Sequence, residues 1–267
     1  MTDSPVSPLK WVGGKSKLAD RIIKLIPKHT RYAEVFAGAG WVFFRKPQSR
    51  YETINDINSD LVAFYRMLQN HLEEFCKQFK WLLSSREFFE DFKAQRAAGG
   101  LTDIQRAARF YYTRRQAFGG KVVGQTFGVS VDSPPAVNLL RIEEEMSRVH
   151  MRLTGVVIEN LPWREYLTRY DRPDTFFTWT RHTLVPRTIT GKAFFNRDDY
   201  ARMSAALAKV KGKFILSLNE DPEIRETFSA FSIRGAETLY SCNQKAAQKA
   251  AELHSMNYEP EMGLLGL

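Results

Sequence analysis

Three short segments hold residue types that can act together. Glu34-Val35-Phe36-Ala37-Gly38-Ala39-Gly40 places a glycine-rich turn directly after an apolar run. Glycines at such a place let the backbone approach a ligand closely. Asp56 closes the next β-like run, Tyr51 to Asp56, and an acid there can accept both hydroxyls of a ribose. Asn55-Asp56-Ile57-Asn58 also suits a plain helix cap. The segment Lys10-Trp11-Val12-Gly13-Gly14-Lys15-Ser16 ends like a phosphate loop, but Leu9 stands where such a loop needs its first glycine and no strand precedes it. Leu9 therefore speaks against an NTP-driven enzyme. What the segment offers is a helix N-terminus with exposed N–H groups, a cation and an aromatic plate.

Other chemistries find little support. There is no Cys-x-x-Cys or His-Glu-x-x-His spacing, and the five histidines (29, 71, 150, 182, 254) lack ligand spacing, so no metal is expected. Cys76 and Cys242 are the only cysteines, too few for a disulfide framework, and both read as inert in a reducing cytoplasm. No apolar run reaches the ~18–20 residues that cross a bilayer. The first ten residues lack the apolar stretch of a signal peptide. The expectation is a cytoplasmic protein without membrane contact. Lys plus Arg outnumber Asp plus Glu by 39 to 30, a net charge of +9, which favours a polyanionic partner.

The elements that must position these residues follow from periodicity. Leu18, Ile22, Ile23 and Ile26 predict a helix that Pro27 closes. Tyr32 to Phe36 and Tyr51 to Asp56 read as strands, and strand, glycine turn, strand, acid is the opening of a nucleotide-binding α/β unit. From Ser59 to about Arg115 the spacing is helical, through Leu61, Phe64, Tyr65, Leu68, Leu72 and Phe75, then an aromatic run Trp81, Phe88, Phe89, Phe92 expected in the core. Residues 118–131 are glycine-rich and read as a hairpin or extended loop, and 137–151 as a helix. Strands are expected at 154–159, 175–177, 213–218 and 238–241, with a helix over 197–210. The simplest organisation is a discontinuous α/β domain from residues 1–60 and 151–267, interrupted by a mostly helical insertion over 61–150.

These segments together resemble the Dam-like class of DNA adenine methyltransferases. The likeness runs from Lys10–Lys15 through Glu34–Gly40 and Asn55–Asn58, then through Tyr111-Tyr112-Thr113-Arg114-Arg115-Gln116-Ala117-Phe118-Gly119-Gly120, Arg172–Phe177 and Lys213–Asn219. The resemblance implies an α/β fold: a Rossmann-like S-adenosylmethionine-dependent methyltransferase sheet with an inserted, mostly helical target-recognition domain. It implies S-adenosylmethionine as donor, the amino group of adenine in double-stranded DNA as acceptor, and a cognate restriction endonuclease as a further partner. By matching positions, Trp11, Lys15 and Asp56 would contact the donor, and Phe36, Gly38 and Gly40 would shape its pocket. Arg114, Arg115, Lys121 and Gln125 would meet DNA through phosphate and base-edge contacts; a solvated basic surface is the plainer reading of the same four.

One part of the pattern is missing. The family's Asp-Pro-Pro-Tyr should follow Asp174-Thr175-Phe176-Phe177. Its Asp and a backbone carbonyl accept the amino hydrogens of a flipped adenine, and its Tyr stacks on the base. Here residues 178–190 read Thr-Trp-Thr-Arg-His-Thr-Leu-Val-Pro-Arg-Thr-Ile-Thr, with five threonines and no acid. The genetic code offers a reason. Trp is TGG and Thr is ACN, so the last base of the Trp179 codon with the first two of the Thr180 codon spells GAC, Asp. Continued from Thr178 to Gly191, that register permits Tyr-Leu-Asp-Pro-Pro-Tyr-Ser-Gly-Ala-Glu-Asp-Tyr-Tyr-Gly. Two compensating single-base shifts would place the lost Asp at Thr180 and the lost Tyr at Thr183. Arg181 and Arg187 would give way to three carboxylates, which accounts for five units of the +9. The expectation is a site-specific adenine methyltransferase by descent whose present chain transfers little methyl. The alternative is an inactive DNA-binding or donor-binding remnant.

Overall fold

The computed structural model describes residues 7–9, 16–118, 124–128, 141–180, 197–240 and 248–260. Its centre is a seven-stranded sheet of order β3-β2-β1-β4-β5-β7-β6. The strands are β1 (Arg31–Glu34), β2 (Tyr51–Asn55), β3 (Val157–Glu159), β4 (Thr175–Thr180), β5 (Lys213–Asn219), β6 (Ser232–Tyr240) and β7 (Gln248–Met256). Pairing is parallel from β3 across to β5, and β7 runs antiparallel between β5 and β6. The fold is thus the mixed, mostly parallel α/β sheet expected of a Rossmann-like methyltransferase.

Alternation along the central strands sorts the core into two layers. Tyr32, Phe176, Ile215 and Met256 face one side, where they meet α1 (Ser16–Leu25), α2 (Trp41–Arg45) and α3 (Ser59–Asn70). Ala33, Val35, Phe177, Trp179, Phe214, Leu216 and Leu218 face the other, where they meet α8 (Trp163–Tyr170), α9 (Arg197–Leu207) and α10 (Pro222–Thr227). The remaining helices are α4 (Leu72–Lys77), α5 (Arg86–Ala98), α6 (Asp103–Gln116) and α7 (Ile142–Leu153). Their apolar residues join those of α1 to α3 in one continuous core, with Phe64 of α3 stacked on Tyr111 of α6 at 5.7 Å.

The structure corrects some readings. Trp81 is 85% exposed, whereas Phe89 is buried and Phe88 and Phe92 pack at the core's edge. The helix ending at Lys77 gives out before Trp81, and helical phase is lost across residues 78–85. The strand expected at 238–241 begins six residues earlier, at Ser232. The sequence reading has no counterpart for β7, α2, α8 or α10. β7 carries Gln-Lys-Ala-Ala-Glu-Leu-His-Ser-Met, a composition without β-propensity, and its strand form is imposed by ladders on both sides. Among the described residues, no helix is long and apolar enough to cross a membrane, and no group of three or more His, Cys, Asp or Glu could hold a metal ion.

Candidate functional site

The parallel strands end together along one edge. β1 has β2 on one side and β4 on the other, so the chain reverses its winding direction beside β1, the place where open α/β sheets bind ligands. The turn after β1 is held open there by backbone bonds. Val35 N donates to Thr178 O at 3.0 Å, Ala37 N to Asn55 O at 2.8 Å, and Gly40 N to Ala37 O at 2.7 Å. Gly38 (φ 49°) and Gly40 (φ 66°) are both left-handed, a conformation that favours glycine. A Cβ on Gly40 would also stand 2.8 Å from the Phe44 ring.

Asp56 completes this turn. One carboxylate oxygen accepts Gly38 N–H at 3.0 Å and the other accepts Asn58 N–H at 2.9 Å. The helix-cap reading also holds, but at Asn58, whose side chain accepts from Asp60 N and Leu61 N at the start of α3. Asp56 thereby sets a carboxylate beside the glycine turn.

Several contributors escaped sequence reasoning. Asn55 donates to Val35 O and Leu161 O, both at 3.1 Å, and accepts from Leu161 N, which knits β1, β2 and the loop after β3. Asn160 donates to Asp56 O at 2.7 Å. Tyr65 of α3 donates to Gly38 O at 2.7 Å. Ile57 is 45% exposed next to Asp56, an apolar face at the rim of the site. Tyr65 and Ile57 were hidden because each also fits a helical or strand pattern, and only a neighbouring polar demand marks them out.

Beneath the turn lies an inner acid. Glu34 is fully buried and accepts the Tyr32 hydroxyl at 2.7 Å. Burial dominates and lifts its carboxyl to about 8; the Tyr32 hydrogen bond and the Lys46 charge pull the other way.

Thr180 ends β4 beside this turn, opposite Ser217 of β5. Its neighbour Trp179 is 0% exposed, wedged edge-on against Phe36 at 5.7 Å and Trp163 at 5.6 Å. Among the described residues, the Trp179 indole N–H finds no acceptor. Phe36, Gly38, Gly40, Asp56 and Thr180 therefore converge at the carboxyl ends of β1, β2 and β4. Trp11, Lys15, Lys121 and Thr183 lie outside the described residues.

The expected DNA-contacting residues divide. Ala117 bridges Phe127, Phe118 N donates to Thr126 O at 2.9 Å, and Gly128 N donates to Gln116 O at 2.8 Å, which gives the described part of the glycine-rich segment the form of a hairpin. Arg114 and Gln125 are not presented to a duplex: they are 1% and 8% exposed. Positive charge suggested a surface, but this face of α6 packs inward with Phe110 and Tyr111, and burial lowers the Arg114 guanidinium to about 9. Arg115 is half-buried, with Glu145 at 3.9 Å.

Comparison with known proteins bears on this geometry. Residues 11–125 match the family model described as D12 class N6 adenine-specific DNA methyltransferase. The DNA adenine methylase of Escherichia coli (strain K12) is 32% identical over 120 residues, covering 42% of this chain and 41% of that protein. A type II methyltransferase of Lactococcus lactis subsp. cremoris is 34% identical over 122 residues, covering 42% of this chain and 41% of that protein. The DNA N-6-adenine-methyltransferase of Escherichia phage P1 is 29% identical over 123 residues, covering 43% of this chain but 15% of the phage protein. The matched part of the chain thus spans less than half the length of these relatives.

Proposed function

We infer the function of this chain from the family to which it belongs, the Dam-like class of D12 N6 adenine-specific DNA methyltransferases. It binds S-adenosylmethionine at the carboxyl ends of β1 and β2 and binds double-stranded DNA, whose adenine amino group is the family's acceptor. The bond from Gly38 N–H to Asp56, set beside the end of β4, carries this reading. S-adenosylmethionine supplies a methyl group already activated on a sulfonium. The chain's own residues fit such a donor. Asp56 offers a carboxylate to ribose hydroxyls, Ile57 offers an apolar face to a flat ring, and Gly38 and Gly40 supply the left-handed backbone that the turn requires. Trp11 and Lys15 belong to the same proposal by sequence match. Arg115, Lys121 and the hairpin after α6 are the proposed DNA-facing groups, acting on phosphates and base edges. A type II relative supports a cognate restriction endonuclease as a partner, and the cytoplasm as the place of action follows from the substrate.

The acceptor half of the site is altered. An adenine amino nitrogen is a poor nucleophile until acceptors draw its hydrogens and turn its lone pair to the methyl group. Thr180 stands where that carboxylate belongs, and Thr183 where the stacking Tyr belongs. The proposal is that two compensating frame shifts replaced residues 178–191. The absence of any acid over residues 178–190, together with the Asp-Pro-Pro-Tyr that the shifted register permits at 180–183, supports it. The loss of an orienting group of this kind lowers rate by roughly 100- to 1,000-fold. This polypeptide therefore binds donor and DNA and transfers little or no methyl.

The test is radioactive methyl transfer to mixed-sequence duplex DNA, with this chain beside one carrying Tyr-Leu-Asp-Pro-Pro-Tyr-Ser-Gly-Ala-Glu-Asp-Tyr-Tyr-Gly at 178–191. Transfer by the restored chain alone is the expected result. Equal transfer by both removes the frame-shift proposal, and absence of donor binding by either removes the functional reading.

A further inference from the structure

We propose that Asp60 is a positioning residue that couples donor binding to DNA binding, an inference that rests on the functional reading above. Asp60 lies in the first turn of α3, four residues after Asp56. Its Oδ2 accepts Arg96 Nη2 of α5 at 2.7 Å, and its Oδ1 accepts Arg106 Nε of α6 at 2.8 Å. Arg106 also donates to the Ser59 carbonyl at 2.6 Å, and Arg96 donates to the Thr113 hydroxyl of α6 at 3.0 Å. One carboxylate thereby fastens the N-terminus of α3 to both helices that lead to the hairpin. The hairpin is itself fixed to the end of α6 by Gly128 N and Gln116 O at 2.8 Å.

The same helix is tied to the donor turn. Tyr65 holds Gly38 O at 2.7 Å, and Asn58, which caps the helix, is held by Asp56. Ribose hydroxyls that bond Asp56 compete with Gly38 N–H and Asn58 N–H for the same carboxylate. The turn at 56–58 responds, and the start of α3 moves with it. Asp60 passes that displacement to α5 and α6 through charge-assisted bonds that resist bending. A link of this sort works in both directions, because coupling between two ligands is reciprocal. Asp60, Arg96 and Arg106 are half-buried, so substitution there leaves the core in place.

The experiment needs binding only. Affinity for a fluorescent duplex with random flanks around a central adenine is measured with and without saturating S-adenosylhomocysteine, for the full chain, Asp60→Asn and Arg106→Gln. The full chain should bind DNA more tightly with the nucleoside present, by roughly 5- to 150-fold. Both variants should bring that ratio close to one while S-adenosylhomocysteine alone binds as before and the unfolding midpoint stays near that of the parent. A wild-type ratio in Asp60→Asn overturns the proposal, as does a ratio of one in the parent. Equal weakening of both ligands with the ratio preserved assigns Asp60 a merely structural role and also overturns it. A parent that binds neither ligand defeats the functional reading itself, which sets that failure apart.

Discussion

The carboxylate of Asp56 accepts the backbone N–H of Gly38 at 3.0 Å, so the acid after β2 and the turn after β1 form a single unit. Asp56→Asn disturbs both of its duties. One amide oxygen can serve a backbone N–H, but the NH2 group then faces the remaining donors. Charge-assisted bonds of this type are worth about 1.5–3 kcal/mol, so donor affinity should fall by roughly ten- to a hundredfold. Calorimetric titration with S-adenosylhomocysteine measures it, and an unchanged Kd would show that Asp56 serves the turn alone.

Gly40→Ala tests the same turn from the backbone side. Gly40 has φ 66°, and its added methyl would meet Phe44 at 2.8 Å. Left-handed strain together with the overlap should cost about 1–3 kcal/mol of stability. Urea unfolding gives the number. Because Phe44 sits in the first core layer, the variant should also weaken donor binding by shifting the turn off Asp56.

The glycine turn and Asp56 were legible in the sequence because each answers a demand of only a few neighbouring residues: a left-handed backbone, and an acid at a strand end. Thr180 was legible through what it lacked. Arg114 and Trp81 misled for one shared reason. Charge and aromaticity state what a side chain tolerates, while exposure depends on which way a helix face turns and where a helix stops. β7 and α8 were illegible because packing, rather than local preference, decides them. Lys-Ala-Ala-Glu holds a strand only with β5 and β6 on its two sides. Tyr65 escaped notice since its apolar ring satisfies the helix pattern and only its hydroxyl touches the site.

Glu34 gives the fold a pH dependence of definite sign. Its folded carboxyl is raised to about 8 from an ordinary 4.5. Below the lower value both states are protonated and the contribution is whole. As pH climbs between the two, the unfolded chain loses its proton while the folded one keeps it, so stability falls; above the higher value the loss is complete. Glu34→Gln should remove this slope. The difference in urea midpoint between parent and variant should widen from about pH 5 to about pH 9, with the variant the more stable at the alkaline end. A constant difference across that range would mean that Glu34 stays ionised in its pocket.

At the opposite end of the strands, Glu52 joins the sheet to the last helix of the helical region. Its carboxylate pairs with Lys46 and with Arg152 of α7, and it accepts Ser49 N–H at 3.0 Å. Arg152 also donates to Phe43 O at 2.8 Å and lies 3.8 Å above the Phe43 ring, while Lys46 lies 4.2 Å above the Tyr32 ring. Glu52→Gln removes the carboxylate that pairs with both cations and leaves them facing an amide. A broken buried pair costs about 3–5 kcal/mol, whereas replacing the whole ionic cluster with apolar groups of similar volume is close to neutral. Glu52→Gln should therefore destabilise strongly, and the triple change Lys46→Met, Glu52→Leu, Arg152→Met should recover most of that loss. Hydrogen exchange adds a second reading: in the single variant, amides of α7 should lose protection ahead of those in β4 and β5, because Arg152 is the polar tie that holds α7 down on β2. If the triple variant is no more stable than the single one, Phe43 and Tyr32 depend on the cations above their rings more than on the burial those cations disturb.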